Sequence, residues 1–500
     1  MAIRAEPTGG RDFGPLGSLL GLLLALGLGV GLGALAFWDG RMGWSWQPRL
    51  LGPDPPFIND VPFLGTIAVG GLITLAALFL NWVRACGSWD RPVLGLLVFA
   101  LFADAVPAVY QIALVLVFLI LADHALRRGD LPLVITPLVL PVGLVLISYA
   151  TTFLVTRSPA PDAVDFVFRA SFLLMVPVLP LLLRTPRHLE LLLHFVILSA
   201  LLSALVAFGQ LGLSLLAGKV ISFAEPAFNR MAVGEMVFPR CTGLMDHPNH
   251  ASNTLGTVAV LVLYLATGSR ALVSRRRRLA YLATFVVLSL AVLITFSRSG
   301  WLALGCATLL VPLIRWPRFG FGYLLGLGLL AGVGWSSGLL PAALEFVRDL
   351  NASSADFRWH IDRIALQAFQ QHPAIGVGVE GLLRYFNPYH LQVHNTYLQA
   401  FAEMGLFGVG AFLFLIGWMG WRISRAFRAA RDPVRREWLI GLLLASAVLL
   451  VQNAVVMFLW IKFLWFWIGL IEAAVLVCLV PARDDDPDQV AFLPAVPDGS

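Results

Sequence analysis

His188 to Leu215 reads HLELLLHFVILSALLSALVAFGQLGLSL, 28 residues in which Glu190 is the only acidic or basic side chain apart from histidine. As a helix rising ~1.5 Å per residue, it is longer than the ~30 Å of hydrocarbon in a bilayer. Its apolar residues run on without the period-two alternation of a barrel strand. The segment therefore reads as a membrane-spanning helix, and a transmembrane barrel is excluded.

Similar stretches flank it at 16–37, 62–83, 92–104, 106–123, 132–153 and 165–184, then at 250–268, 279–296, 299–314, 320–336, 397–421, 438–458 and 460–480. The expected fold class is an all-α polytopic membrane protein with 12–14 transmembrane helices. Composition agrees: 59% apolar and 13% charged residues leave too little polar surface for a soluble chain of this length, and exclude disorder. Of four cysteines, Cys306 and Cys478 fall in expected spans, Cys86 on the expected inner face and only Cys241 outside, so no disulfide framework is expected.

The net charge is +6, and with the N-terminus placed in the cytoplasm 22 of the 35 basic residues fall on that side. The run Arg275 to Arg278 reads as an inner-face anchor rather than a nucleic-acid patch. The stretch 16–37 is too long for a secretory signal and reads as a retained first helix. The expected organisation is a helix bundle over 1–336 with a short outer loop at 216–249, a large outer loop at 337–396, further helices over 397–480 and a cytoplasmic tail at 481–500. In the large loop Phe357, Ile361, Ile364, Ala365 and Ala368 recur at helical spacing, which predicts an amphipathic helix on the outer membrane surface. Gly376-x-Gly378-x-x-Gly381 imitates a dinucleotide fingerprint but lacks a βαβ context and reads as a turn. Asp165 and Arg169, four apart, are expected to neutralise each other, whereas Glu472 has no partner legible in the sequence.

Chemistry is expected where polar groups gather at the outer ends of spans. Arg240 precedes Asp246-His247-Pro248-Asn249, and Arg298 sits in Thr295-Phe296-Ser297-Arg298-Ser299-Gly300. Each precedes or opens an inward-running helix whose N-terminus carries unpaired N–H groups, with Ser297 or Ser299 as a cap, and guanidinium plus helix N-terminus makes a phosphate site. His394, followed by Asn395, stands where the large loop returns to the membrane, where a helix dipole keeps an imidazole neutral and able to accept a proton. Arg358 and Arg384 are further candidate contacts, beside Asn249, Ser297 and Asn395. No carboxylate pair or histidine cluster shows ligand spacing, so no metal and no cofactor is expected.

These residues resemble the bacterial O-antigen ligases and the related O-antigen polymerases. His394-Asn395 followed by Gly405-x-x-Gly408 looks like the family's loop motif, Arg240-x-Thr242-Gly243 with Pro248-Asn249 like its first arginine segment, and Ser297-Arg298-Ser299 like its second. His372-Pro373 with Gly376 and Gly378 is similar to its His-Pro-x-x-Gly-x-Gly segment. The resemblance implies a metal-independent glycosyltransferase of the bacterial inner membrane, acting at the periplasmic face. It would move a glycan from undecaprenyl diphosphate to a lipid A core sugar hydroxyl, with Arg240 and Arg298 on the diphosphate and His394 as base. Polymerisation of O-antigen or exopolysaccharide is the alternative within the family. Transport of a lipid-linked glycan is the alternative outside it. The partners implied are the lipid-linked donor, a lipid A core or growing glycan acceptor and membrane lipids, with no nucleic acid.

Overall fold

The computed structural model describes residues 90–104, 107–128, 137–155, 159–183, 185–217, 220–222, 230–233, 236–268, 273–349, 352–378, 381–383 and 393–479. The expected spans at 16–37 and 62–83, Arg384 and the tail at 481–500 lie outside these residues, and so does the side chain of Asp165. The fold is that of an all-α polytopic membrane protein. Among the described residues the α-helices are α1 (Asp90–Phe102), α2 (Pro107–Arg128), α3 (Val139–Ala150), α4 (Pro159–Leu173), α5 (Met175–Leu182), α6 (Pro186–Ala217), α7 (Pro248–Ala266), α8 (Arg275–Ile294), α9 (Arg298–Arg315), α10 (Gly320–Ser336), α11 (Leu339–Asp349), α12 (Ala352–Gln371), α13 (Thr396–Ala429), α14 (Pro433–Gln452) and α15 (Lys462–Leu479). Five segments among the described residues are long and apolar enough to cross a membrane: Pro186–Ala217, Arg275–Ile294, Pro317–Ser336, Thr396–Ala429 and Lys462–Leu479. Strands β1 (Arg230–Val233) and β2 (Met236–Pro239) pair antiparallel, Arg230 opposite Pro239, a short ladder that the all-helical expectation did not include.

Helices α7 and α15 are enclosed by protein along most of their length, whereas α10 turns Phe321, Leu330 and Val333 outward. Small residues make the α7 contact close. Gly256 lies so near α9 that an added Cβ would stand 3.1 Å from Ala303 Cβ, and a Cβ on Gly300 would collide with Ser252 Oγ. In a lipid environment such close backbone approach is a main source of helix association. Here it fixes the first turns of α7 and α9 side by side.

Three expectations need correction. The apolar stripe of α12 does not lie on a membrane surface. Ile361, Ala365 and Ala368 are buried against Val377, Val393 and Ala402, because α12 packs on α13 and covers its first turns. The span expected at 438–458 stops at Gln452, and the following turn carries Val456, Met457, Phe458 and Trp460 into the protein core. Arg422, one residue past the expected span 397–421 and so counted with the basic residues of the cytoplasmic side, lies inside α13 and is buried against Glu472, with Nε donating to Oε2 at 3.2 Å and Nη2 to Oε1. Glu472 thus has its partner, since a buried carboxylate needs compensation that lipid and apolar neighbours cannot supply.

The two loop glycine motifs form one interlocked unit. Gly405 breaks α13 with φ 62° and ψ −164°, and the turn around Gly376, at φ 73°, fits into that break. Val377 N donates to Ala402 O at 2.9 Å and Gly378 N to Glu403 O at 3.0 Å, while Leu406 N and Phe407 N donate to Pro373 O and Ala374 O. The kink frees backbone groups and the turn satisfies them. Cβ atoms at Gly376 or Gly405 would meet backbone at impossible distances.

Candidate functional site

The loop from β2 to α7 is held by α6. Gln210 Oε1 accepts from Thr242 N at 2.9 Å and Gly243 N at 3.0 Å, and Gly243, at φ 61°, sits against the Ser203 backbone where no side chain fits. This anchors Arg240. Its Nε donates to Thr295 O at 3.1 Å and its Nη2 to Asn249 Oδ1 at 3.0 Å. Ser297 Oγ donates to the same Asn249 oxygen at 2.9 Å and pairs with Ser299 Oγ at 2.9 Å, so Ser297 holds the N-cap position of α9 without capping its amides. Phe296 just before it has φ 51°, an uncommon left-handed conformation for a bulky residue, which turns the chain sharply into α9.

Arg298 opens α9, and Arg358 reaches the same region from α12. Burial, then Arg358 and Arg298, brings Arg240 down to about 10. Burial, then Arg298, lowers Arg358, against a small opposing pull from Asp362. Three guanidiniums thus share one electrostatic neighbourhood.

His394 and Asn395 lead into α13. Asn395 Oδ1 accepts from Tyr397 N and Leu398 N at 3.0 Å each, a cap of the type worth ~1 kcal/mol, so its oxygen is committed to the helix. Thr396 N donates to Asn453 O and Thr396 Oγ1 to Val456 O, both at 2.8 Å, tying the helix start to the α14–α15 turn. Burial, then Arg358, His250 and Arg240, lowers the His394 ring to about 3, so it is neutral at physiological pH.

Two histidines absent from the sequence expectation complete the cluster. His247 caps α7, its Nδ1 accepting from Asn249 N at 3.1 Å; burial, with His250, Arg240, His394 and Arg358 after it, pushes the ring well below its usual value. His250, one turn into α7, has Nδ1 at 3.2 Å from Asp246 Oδ1. Burial opposes ionisation of Asp246, but the His250 hydrogen bond and charge and the Lys462 ammonium together lower its carboxyl. His247, Asn249, His250, His394, Val456 and Met457 line one cleft of ≈ 40 Å³, room for water or a hydroxyl but not for a whole sugar. The signal for His250 was present in the string Asp246-His247-Pro248-Asn249-His250, but spacing alone did not show that its ring faces the cleft.

Contrary to the sequence expectation, one group has metal-ligand spacing. Atoms of Asp104, Asp246 and His250 lie within 4.8 Å of one another. Lys462, buried at the start of α15, already places Nζ 2.7 Å from Asp104 Oδ1, so an ammonium supplies positive charge where an ion would sit.

Arg240, Arg298, Arg358, His394, Asn249, Ser297 and Asn395 therefore gather at one end of the bundle, where α7, α9 and α13 all begin. The far end of α9, ~27 Å away at ~1.5 Å per residue, carries Arg315, paired with Glu437 at the start of α14. This defines a polytopic helical membrane protein with a cationic, histidine-lined site at one end of its bundle.

Residues 283–415 match the family model described as O-Antigen ligase. The match runs from within α8 to within α13 and contains Arg298, Arg358 and His394, which bears out the family resemblance over that segment; Arg240 and the α7 start precede it. No curated protein matches the chain.

Proposed function

We propose that the protein transfers a glycan from a polyprenyl-diphosphate donor, undecaprenyl diphosphate in a bacterial inner membrane, to a sugar hydroxyl at the periplasmic face. The observation that carries this reading is the convergence of three guanidiniums and three helix N-termini beside a histidine-lined cleft. A departing diphosphate gathers negative charge, and fixed donors aimed at it lower the barrier. Arg240 and Arg298 hold the diphosphate, Arg358 adds to the same field, and neutral His394 faces the attacking hydroxyl. A single displacement inverts the anomeric centre.

The basic residues at the opposite end, such as Arg315 and the run Arg275 to Arg278, support a site that faces away from the cytoplasm. Cysteine labelling at Ser353 with an impermeant reagent tests that orientation: protection in intact, outer-permeabilised cells would reverse it. The motif spacing favours ligation to lipid A core over polymerisation. No divalent ion is needed because arginine supplies the charge, so chelation should leave turnover intact.

The deciding experiment is glycan transfer by purified protein, read beside the lipopolysaccharide gel of a strain lacking it. Bare core with accumulated polymeric glycan on the lipid carrier supports ligation, and core capped by a single repeat unit identifies a polymerase. Lipid translocation without transfer would make it a transporter.

A further inference from the structure

His250 and His394 share a cleft but have different charged neighbours. A proton gained on His394 is opposed by burial first, then by Arg358, His250 and Arg240. Around His250 stand Asp246 at 3.2 Å, Asp104 within the same 4.8 Å group and Lys462, with the His247 ring at 5.0 Å and the Phe458 ring at 6.1 Å. Two carboxylates against one ammonium leave net negative charge beside this ring. The Asp246 contact assigns the hydrogen of the neutral ring to Nδ1 and leaves the Nε2 lone pair available. The His250 side chain is 11% exposed and that of Asp246 54%, so the ring is shielded while the carboxylate touches solvent. His247 is not equivalent, because its Nδ1 is occupied by Asn249 N and its neighbours include Arg240 and Arg358.

We propose that His250, held by Asp246, takes the proton of the acceptor hydroxyl, with neutral His394 orienting that hydroxyl; this rests on the glycan-transfer reading above. The acceptor O–H bond breaks as its oxygen bonds to the anomeric carbon. The bond from that carbon to the diphosphate oxygen breaks, and its electron pair leaves with the diphosphate. The proton moves to His250 Nε2, the imidazolium is stabilised by Asp246, and the proton is then released to water. The arrangement shares the logic of an aspartate-supported histidine base.

The test uses purified full-length protein, a synthetic polyprenyl-diphosphate-linked glycan and lipid A core. His250→Gln should lower kcat ~10²-fold or more, the scale of general-base catalysis, with donor KM within about two-fold. Asp246→Asn should cost less and move the acidic limb of the kcat profile to lower pH, because the imidazolium loses its carboxylate. Near-normal turnover by His250→Gln with an unaltered pH profile overturns the proposal. Should that variant fold poorly, an unmoved acidic limb in Asp246→Asn, a change at an exposed side chain, overturns it equally. A wild-type protein that transfers nothing from this donor refutes the glycan-transfer reading itself and the His250 role with it.

Discussion

Arg240 donates to Asn249 at 3.0 Å, and the same Asn249 oxygen takes a second hydrogen bond from Ser297. The guanidinium after the hairpin is thereby fixed to the first turn of α7 and to the residue that begins α9. Asn249 aims the arginine, and its position is set in turn by the close packing of α7 on α9.

Arg240→Ala and Arg298→Ala should each lower turnover ~10²- to 10³-fold, the usual effect of removing one preorganised donor to a developing charge. Lysine at either position should recover only part, because it lacks the planar fork. Transfer assays at matched protein abundance check this, and near-normal rates in both alanine variants would remove the diphosphate assignment.

His394 supplies a pH dependence of stability. Its ring titrates at about 3 in the folded protein against ~6.5 in an unfolded chain, so the unfolded state binds the proton more readily. Stability is therefore full above pH ~6.5 and declines as pH falls towards 3. His247 acts in the same sense. Thermal unfolding from pH 7.5 to 4 should show a falling Tm, with a shallower fall in His394→Gln; identical slopes would mean that His394 is not held as a buried neutral ring. His394→Ala should also abolish transfer while donor binding persists.

The Arg422–Glu472 pair predicts a double-mutant cycle. Either residue changed to alanine leaves the other charge buried alone, at a cost of ~3–5 kcal/mol. Arg422→Met with Glu472→Met should recover most of that loss. Tm measurements read the coupling, and additive losses would show that the pair is not one energetic unit.

Gly376→Ala and Gly405→Ala should each lower Tm sharply and reduce activity, since both residues hold left-handed φ angles against backbone. Gly410→Ala is the control, with nothing within 4 Å of the added carbon. Equal tolerance of all three changes would contradict the interlocked turn.

Much of the fold was legible in hydropathy. Each described stretch expected to span corresponds to a helix or, at 165–184, to the pair α4 and α5 broken at Leu174. Length and continuous apolarity suffice for this because the bilayer leaves the backbone no alternative to internal hydrogen bonding. Hydropathy failed where polar residues changed partners. Arg422 was read as a loop cation because a charge beside an apolar run looks like a boundary until its carboxylate is found fifty residues further on. The α12 stripe was assigned to lipid because an apolar face does not announce what covers it.

The sequence by itself determined the membrane class, the helix order and the candidates Arg240, Arg298 and His394, because local composition and helix-start chemistry are carried by neighbouring residues. Only the tertiary structure decided that Arg358 joins them, that Asn249 and Asn395 spend their oxygens on positioning, and that His250, held by Asp246, lines the His394 cleft. The meetings of Arg240 with Arg358 and of His250 with His394 join segments more than a hundred residues apart. They arise from how closely Gly256 and Gly300 let α7 meet α9, and from the kink at Gly405 that seats the α12–α13 turn. Such distances depend on packing, which no local pattern in the chain encodes.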